Sequence, residues 1–271
     1  MKQRILITGG NGYVAKGLYK YLQTKYDITV ITRNDFDLTD RLATDTYFSD
    51  KTFDCVIHTA IKGGSRLHVD DDRITHENLS MFYNLWNNKH KFERLISFGS
   101  GAEDGMPTSP YGLSKNIISK LIKQIPNFYN IRIFGVFDED ELDTRFIKSN
   151  IQRYINKQSI VIHQDKYMDF IYMPDLATIV EYYLKLNSRW EPPQSTIDCC
   201  YKVSFKLSDI AKIINSLGDY EVDIEIQSAE MGHPYVGNYN TPVIENTDIE
   251  SIKYMGLIIG IQQVYNILRK Q

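Results

Sequence analysis

The stretch Arg4-Ile-Leu-Ile-Thr-Gly-Gly-Asn-Gly-Tyr-Val-Ala15 runs from an apolar segment through a glycine-rich turn into a helical pattern. An apolar run this short, bounded by turn residues, reads as a parallel strand buried on both faces. Val14, Leu18, Tyr21 and Leu22 follow at helical spacing and predict a helix over about 13–25. Gly9, Gly12 and Ala15 make a G-x-x-G-x-x-A pattern at the junction. Small residues there let the main chain approach a pyrophosphate at the positive end of a helix. A tight strand-to-helix turn with no ligand has the same pattern.

Outward from this unit, strands are expected at 28–32, 54–58, 94–98, 130–134 and 169–172. They alternate with a short helix within 33–50 and with helices over 78–89, 111–124 and 174–186. Such alternation predicts an α/β fold, a Rossmann-type doubly wound parallel sheet. Beyond Arg189 the pattern changes to a Pro192-Pro193 turn, a short strand over 196–200, a helix over 207–217 and a final helix over 261–268. The expected division is a dinucleotide-binding domain at 1–140 and 166–188, and a small C-terminal substrate-binding lobe at 141–165 and 189–271.

The 271 residues carry a formal net charge of −3 and no basic run, which argues against a nucleic-acid or membrane-surface partner. Cys55, Cys199 and Cys200 offer neither a disulfide framework nor a zinc spacing, so a reducing cytoplasm is expected. Met1-Lys-Gln-Arg leads directly into Ile5-Leu-Ile7, too short for a signal peptide or a span; a soluble, unprocessed protein is expected. His58, His68, His76 and the acidic run Asp70-Asp-Asp72 lack a metal-ligand pattern, and a solvated acidic loop is the better account.

Chemistry concentrates in Tyr111-Gly-Leu-Ser-Lys115, with Ser100 eleven residues before the tyrosine. Residues four apart on a helix share a face, and Pro110 suits a helix start. A phenol with an ordinary pKa of ~10 is a poor acid-base group at neutral pH, and a neighbouring ammonium stabilises its phenolate. The second strand ends Ile31-Thr-Arg33-Asn without the acidic residue that takes a ribose 2′-hydroxyl. Arg33 then meets either a 2′-phosphate or only solvent beside Asp35. Asp37 either accepts from an adenine amino group or caps the next helix.

These residues resemble an extended short-chain dehydrogenase/reductase of the NAD-dependent epimerase/dehydratase family, over nearly the whole chain. Thr8 to Ala15 resembles the cofactor turn, Ile57-His-Thr-Ala60 the segment after the fourth strand of the family order, and Ser100, Tyr111 and Lys115 the catalytic set. The resemblance implies one further short strand near Asp45 or earlier, cofactor contacts from Gly9, Gly12, Tyr13, Val14, Arg33, Asp37, Leu38, Thr59, Ala60 and Lys115, and a homodimer. Arg33-Asn-Asp-Phe-Asp-Leu38, Ile61-Lys-Gly-Gly64 and Phe98-Gly-Ser-Gly-Ala102 most resemble the GDP-fucose synthase and 4-keto-sugar reductase branch.

Three departures refine the expectation. Ala102 stands where GDP-fucose synthases carry an epimerising cysteine, which puts base-catalysed 3,5-epimerisation in doubt and leaves ketone reduction. Gly99-Ser-Gly-Ala102 replaces the Thr-Asp-Glu of the dehydratases, which removes the carboxylate pair. Met168 replaces the arginine expected before Asp169-Phe-Ile-Tyr-Met-Pro-Asp175, with Lys166, Arg145 or Arg153 as possible substitutes. The resulting expectation is NADPH-dependent reduction of a 4-keto group on a nucleotide-linked deoxy sugar, with NAD as the other cofactor. The alternatives are a nucleotide-sugar 4-epimerase using the same triad and a non-enzymatic dinucleotide sensor.

Overall fold

The structure is a computed structural model, and it describes residues 2–64, 69–186, 195–238 and 254–271. The expected Pro192-Pro193 turn, His68 and most of the sequence before the last helix lie outside the described residues.

The first half runs β1 (Arg4–Thr8), α1 (Tyr13–Leu22), β2 (Asp27–Ile31), α2 (Arg41–Phe48), β3 (Phe53–His58), α3 (Arg73–Asn87), β4 (Phe92–Ser100), α4 (Ala102–Gly105), α5 (Pro110–Ile122) and β5 (Phe128–Ile133). The rest follows as β6 (Val136–Phe137), α6 (Phe146–Ile155), β7 (Ile160–Gln164), β8 (Tyr167–Met168), β9 (Ile171–Tyr172), α7 (Met173–Lys185), β10 (Thr196–Cys199), β11 (Phe205–Lys206), α8 (Leu207–Asn215), β12 (Ile224–Ser228) and α9 (Gly256–Leu268).

Six strands form one sheet in the order β10-β5-β4-β3-β1-β2, with every pairing parallel. Side chains alternate between its faces, as the two-residue period of a strand requires. Ile5, Ile7, Cys55, Ile57, Ile96 and Phe98 join the core that includes Leu18 and Leu22 of α1 and Leu176 and Val180 of α7. Leu6, Val56, Leu95 and Phe128 enter the opposite core with Phe82 and Leu85 of α3 and Ile118 and Ile122 of α5. Each such fully buried aliphatic side chain contributes about 1.5–3 kcal/mol. The doubly wound sheet expected from the sequence is therefore present.

The additional strand near Asp45 is not. Residues 41–48 are α2, capped by the Asp40 carboxylate, which accepts the Ala43 N–H at 3.1 Å. Thr44 and Phe48 turn its buried face inward, so β2 is left as the edge of the sheet among the described residues. Helix α3 begins at Arg73 rather than near Asn78, and β4 extends to Ser100 rather than stopping at Phe98.

A third apolar cluster gathers Phe137, Ile147, Ile151, Ile162, Ile210, Ile214, Ile261 and Val264 from the segments that follow β5. Within it α6, β7, β8, β11 and β12 were not apparent in the sequence, because their short apolar runs lack a sustained period. The neighbours of β1 are β2 on one side and β3 on the other, reached over opposite faces of the sheet. In open parallel sheets the crevice at the carboxyl ends of such strands is where ligands bind.

Candidate active site

At the carboxyl end of β1, Gly9 adopts φ +73°, a backbone region that strongly favours glycine. A Cβ at Gly9 would stand 2.7 Å from the amide nitrogen and the Cα of Ala60, so the turn rests directly on the chain leaving β3. The Thr59 hydroxyl donates to the Thr8 carbonyl at 2.6 Å, and the Ala60 N–H donates to the Thr8 hydroxyl at 3.3 Å. Gly12 is the N-cap of α1 and supplies no side-chain cap. The first N–H groups of a helix have no partner within it and carry its positive end. A bare turn beneath an uncapped helix start fits a dinucleotide pyrophosphate. The side chains of Tyr13 and Val14 are otherwise engaged: the Tyr13 phenol donates to Asp138 at 2.8 Å, and both pack against the core.

After β2, Arg33 is exposed, its guanidinium 3.8 Å from the Asp37 carboxylate. Asp35 instead accepts from the Thr32 N–H and hydroxyl. Asp37 accepts from both the N–H and the hydroxyl of Thr39, which together with Arg33 hold its carboxyl below the usual range. The helix cap considered for Asp37 belongs to Asp40. Leu38 points its side chain into the core, and its carbonyl accepts from Asn84 at 2.9 Å. Arg33 and Asp37 thus stand at one end of the crevice and Thr59 and Ala60 at its centre.

Ser100, Tyr111 and Lys115 come together at the carboxyl end of β4. Ser100 is its last residue, and Ser109 caps α5 by accepting the Gly112 N–H at 3.1 Å. This cap, with Pro110 in the first turn, sets Tyr111 and Lys115 on one helix face. The Lys115 ammonium lies 5.8 Å from the Tyr111 ring centroid, is buried, and donates to the Phe98 carbonyl. Burial pushes Lys115 down to about 8, against an opposing pull from Glu103. Burial also pushes Tyr111 up to about 12; a hydrogen bond from Ser100 acts the other way, and Tyr235, Glu103 and Asp70 add to the rise. The lowering expected from the neighbouring ammonium is not found; the opposing effect comes from Ser100, and desolvation outweighs it. The phenol therefore keeps its proton at neutral pH.

Several groups at this site escaped the sequence reading. The Tyr235 hydroxyl lies 2.9 Å from Ser100 Oγ, from 135 residues further along the chain. Buried Glu103 accepts the Ser100 N–H at 3.1 Å and the Asn130 amide at 3.1 Å. Its carboxyl is raised by burial. Gly64, at φ +71°, lies against the Tyr111 ring so closely that a Cβ would meet Cε2 and Cζ at 2.9 Å. Asn78 of α3 anchors that loop, bonding both polar main-chain groups of Lys62 and the Ser114 hydroxyl. His58 bonds the Thr8 hydroxyl at 2.9 Å and is held down to about 3 by burial and by Lys115. Apart from the local bond between Glu103 and Ser100, these contacts are made by the sheet bringing distant segments to one edge.

The model of the NAD-dependent epimerase/dehydratase family matches residues 5–196, from β1 into β10. The chain belongs to the NAD-dependent epimerase/dehydratase family. No curated protein matches it in sequence. The epimerase/dehydratase fold extends to solved structures that share little sequence with it. GDP-mannoheptose C4 reductase from Campylobacter jejuni, with NADP bound, superposes with a TM-score of 0.81 at 15% identity, covering 99% of this chain and 98% of the other. A GDP-L-fucose synthetase from Naegleria fowleri gives 0.79 at 15% identity, covering 99% and 94%. UDP-glucose 4-epimerase from Thermotoga maritima gives 0.79 at 15% identity, covering 98% and 99%. Reductases and an epimerase thus share this fold to a similar degree, and the distinction between them falls to the site.

The substrate side of this epimerase/dehydratase chain also carries the departure at Met168, which is buried in the third apolar cluster. Of the three candidate substitutes, Arg153 donates to the Ser159 carbonyl at 2.6 Å and Arg145 sits at the start of α6. The Lys166 ammonium lies 5.9 Å from the Tyr235 ring centroid, which brings it to the edge of the Ser100 and Tyr111 cluster. No helix among the described residues is long and apolar enough to cross a membrane.

Proposed function

We propose that the protein reduces a 4-keto group on a nucleotide-linked deoxy sugar, with NADPH as the reductant. The observation that carries this reading is the convergence of Ser100, Tyr111 and Lys115 beside the Gly9 turn, with the Tyr111 phenol held protonated. When bound, the reduced nicotinamide supplies the hydride to the carbonyl carbon. The protein's part is to place and protonate the oxygen. Ser100 hydrogen-bonds the carbonyl oxygen, and Tyr111 delivers its proton as negative charge builds there. Lys115 holds the nicotinamide ribose and stabilises the phenolate left behind. Gly9, Gly12 and the start of α1 hold the pyrophosphate, and Arg33 meets the 2′-phosphate of NADP.

A 4-epimerase would use the same three residues, and the two are separated by whether NADPH is consumed. Ala102, buried where a cysteine serves 3,5-epimerisation in GDP-fucose synthases, leaves no acid or base there for that step. The names of the superposed C. jejuni and N. fowleri structures support a GDP-linked substrate. Segments 141–165 and 200–271 are assigned to the substrate lobe, supported by the third apolar cluster; the boundary expected at 189 is moved because β10 pairs with β5 at the edge of the central sheet. Exposed Tyr83 on α3 and Leu113 on α5 support a homodimer through these helices, and the three free cysteines support a reducing cytoplasm.

The test is NADPH consumption with GDP-linked and dTDP-linked 4-keto-6-deoxyhexoses. Stoichiometric oxidation of NADPH, one per sugar, is expected. Interconversion of 4-epimers with no net oxidation would replace the reductase with the epimerase, and binding without turnover would favour the sensor. Light scattering that gives a monomer would remove the dimer.

A further inference from the structure

We infer that Tyr235 is a positioning residue, whose phenol fixes the Ser100 hydroxyl so that its single proton faces the substrate carbonyl beside Tyr111. The inference rests on the ketone-reductase reading of this site and adds to it a residue from the far end of the chain.

The argument is one of hydrogen-bond capacity. A serine hydroxyl has one proton to give and two lone pairs to receive. Ser100 Oγ receives the Ala102 N–H at 3.2 Å. In the ketone-reductase reading the serine gives that one proton to the substrate carbonyl. The contact at 2.9 Å between Ser100 Oγ and the Tyr235 hydroxyl is then filled by the Tyr235 proton. The Ala102 N–H and the Tyr235 hydroxyl together occupy both lone pairs, which leaves the serine proton one satisfied direction, toward the carbonyl. A donor feeding the serine oxygen also polarises the bond the serine makes onward. With the Tyr235 hydroxyl removed, one lone pair opens and the serine proton is free to turn away from the carbonyl.

The Tyr235 ring is built into place. Its main chain bonds Tyr167 through the N–H at 2.9 Å and Asp169 through the carbonyl at 3.1 Å. The Asp169 carboxylate then accepts the Gly237 N–H at 2.8 Å. The ring stands edge-on to Phe134 with centroids 5.5 Å apart, and a Cβ at Gly101 would meet it at 2.8 Å. Asp169 of the Asp-Phe-Ile-Tyr segment therefore grips, by main chain and side chain, the loop that puts Tyr235 on the serine.

The experiment is a double-mutant cycle on the full chain with NADPH and the 4-keto nucleotide sugar that the wild type reduces. Y235F keeps the ring and its main-chain bonds. A fall in kcat of about tenfold is expected for one lost hydrogen bond that acts in the transition state, with KM for both substrates within about twofold. In the S100A background Y235F should cost nothing further, because the effect passes through Ser100. Additive losses, or an unchanged kcat, would overturn the inference. If the wild type reduces no 4-keto nucleotide sugar, the reductase reading fails, and tyrosine ring carbon-13 NMR decides the positioning separately. There the Tyr111 resonance, assigned with Y111F, should move in Y235F and stay put when Y235F is added to S100A. Should Y235F not fold, 3-fluorotyrosine at 235 keeps the shape and strengthens the donor. The Tyr111 resonance is then expected to move oppositely, and an unmoved resonance overturns the inference.

Discussion

Tyr111 and His58 show how burial, more than any single neighbour, sets the charge state of this site. Tyr111 retains its proton up to about pH 12, so Y111F should lower kcat by roughly 10²–10⁴-fold, the usual contribution of a positioned acid. NADPH binding, read by fluorescence titration, should be unchanged. His58 is held neutral down to about pH 3, below an unfolded value of about 6.5. Its folded-state pKa is depressed, so the unfolded chain binds the extra proton first, and stability is lost as pH falls from about 6.5 toward 3. H58Q should flatten that loss, measured as urea midpoints between pH 7 and 4. A slope equal to wild type would assign the acid sensitivity to other groups. The candidate triad was legible because Tyr111 and Lys115 lie on one helix turn, and Ser100 ends the preceding strand. Tyr235 and His58 were not, since their contacts exist only once the sheet is assembled.

Among the elements, the β1 to α1 unit was read closely, because a strand buried on both faces followed by a glycine turn leaves few alternatives. Between β2 and β3 the short helix expected within 33–50 is α2, whereas the strand that the family resemblance implied near Asp45 is absent, because Asp40 caps that helix and Phe48 buries it. The turn itself makes a sharp prediction. G9A adds a Cβ at φ +73° and 2.7 Å from Ala60, so it should raise the Kd for NADPH at least tenfold and lower stability by about 1–3 kcal/mol. Isothermal titration and thermal unfolding measure the two effects. At the end of β2, R33A should shift the ratio of kcat/KM for NADPH over NADH toward NADH by about tenfold or more, a charged hydrogen bond being worth about 1.5–3 kcal/mol. An unchanged ratio would return Arg33 to the role of a solvated side chain paired with Asp37.

At the level of the whole molecule, one buried carboxylate joins regions that the sequence leaves far apart. Asp175, in the first turn of α7, accepts from the Tyr201 hydroxyl at 2.5 Å and from the Met255 and Gly256 N–H groups at 2.9 Å each. D175A would leave these donors without their partner, at a cost of about 3 kcal/mol or more. The melting temperature should fall by roughly 6–12 °C for a chain of this size. Loss confined to α9, seen as local hydrogen exchange at unchanged melting temperature, would show that the carboxylate holds only that helix. The other long-range contact with a consequence is the glycine loop that lies flat on the Tyr111 ring. Because a Cβ at position 64 would stand 2.9 Å from the Tyr111 ring at φ +71°, no larger side chain fits there without displacing the ring. Attempts to retool this catalyst for new sugars by saturating position 64 should return inactive libraries, whereas diversity placed in the loop around Tyr235 changes the pocket from the side where side chains already meet it.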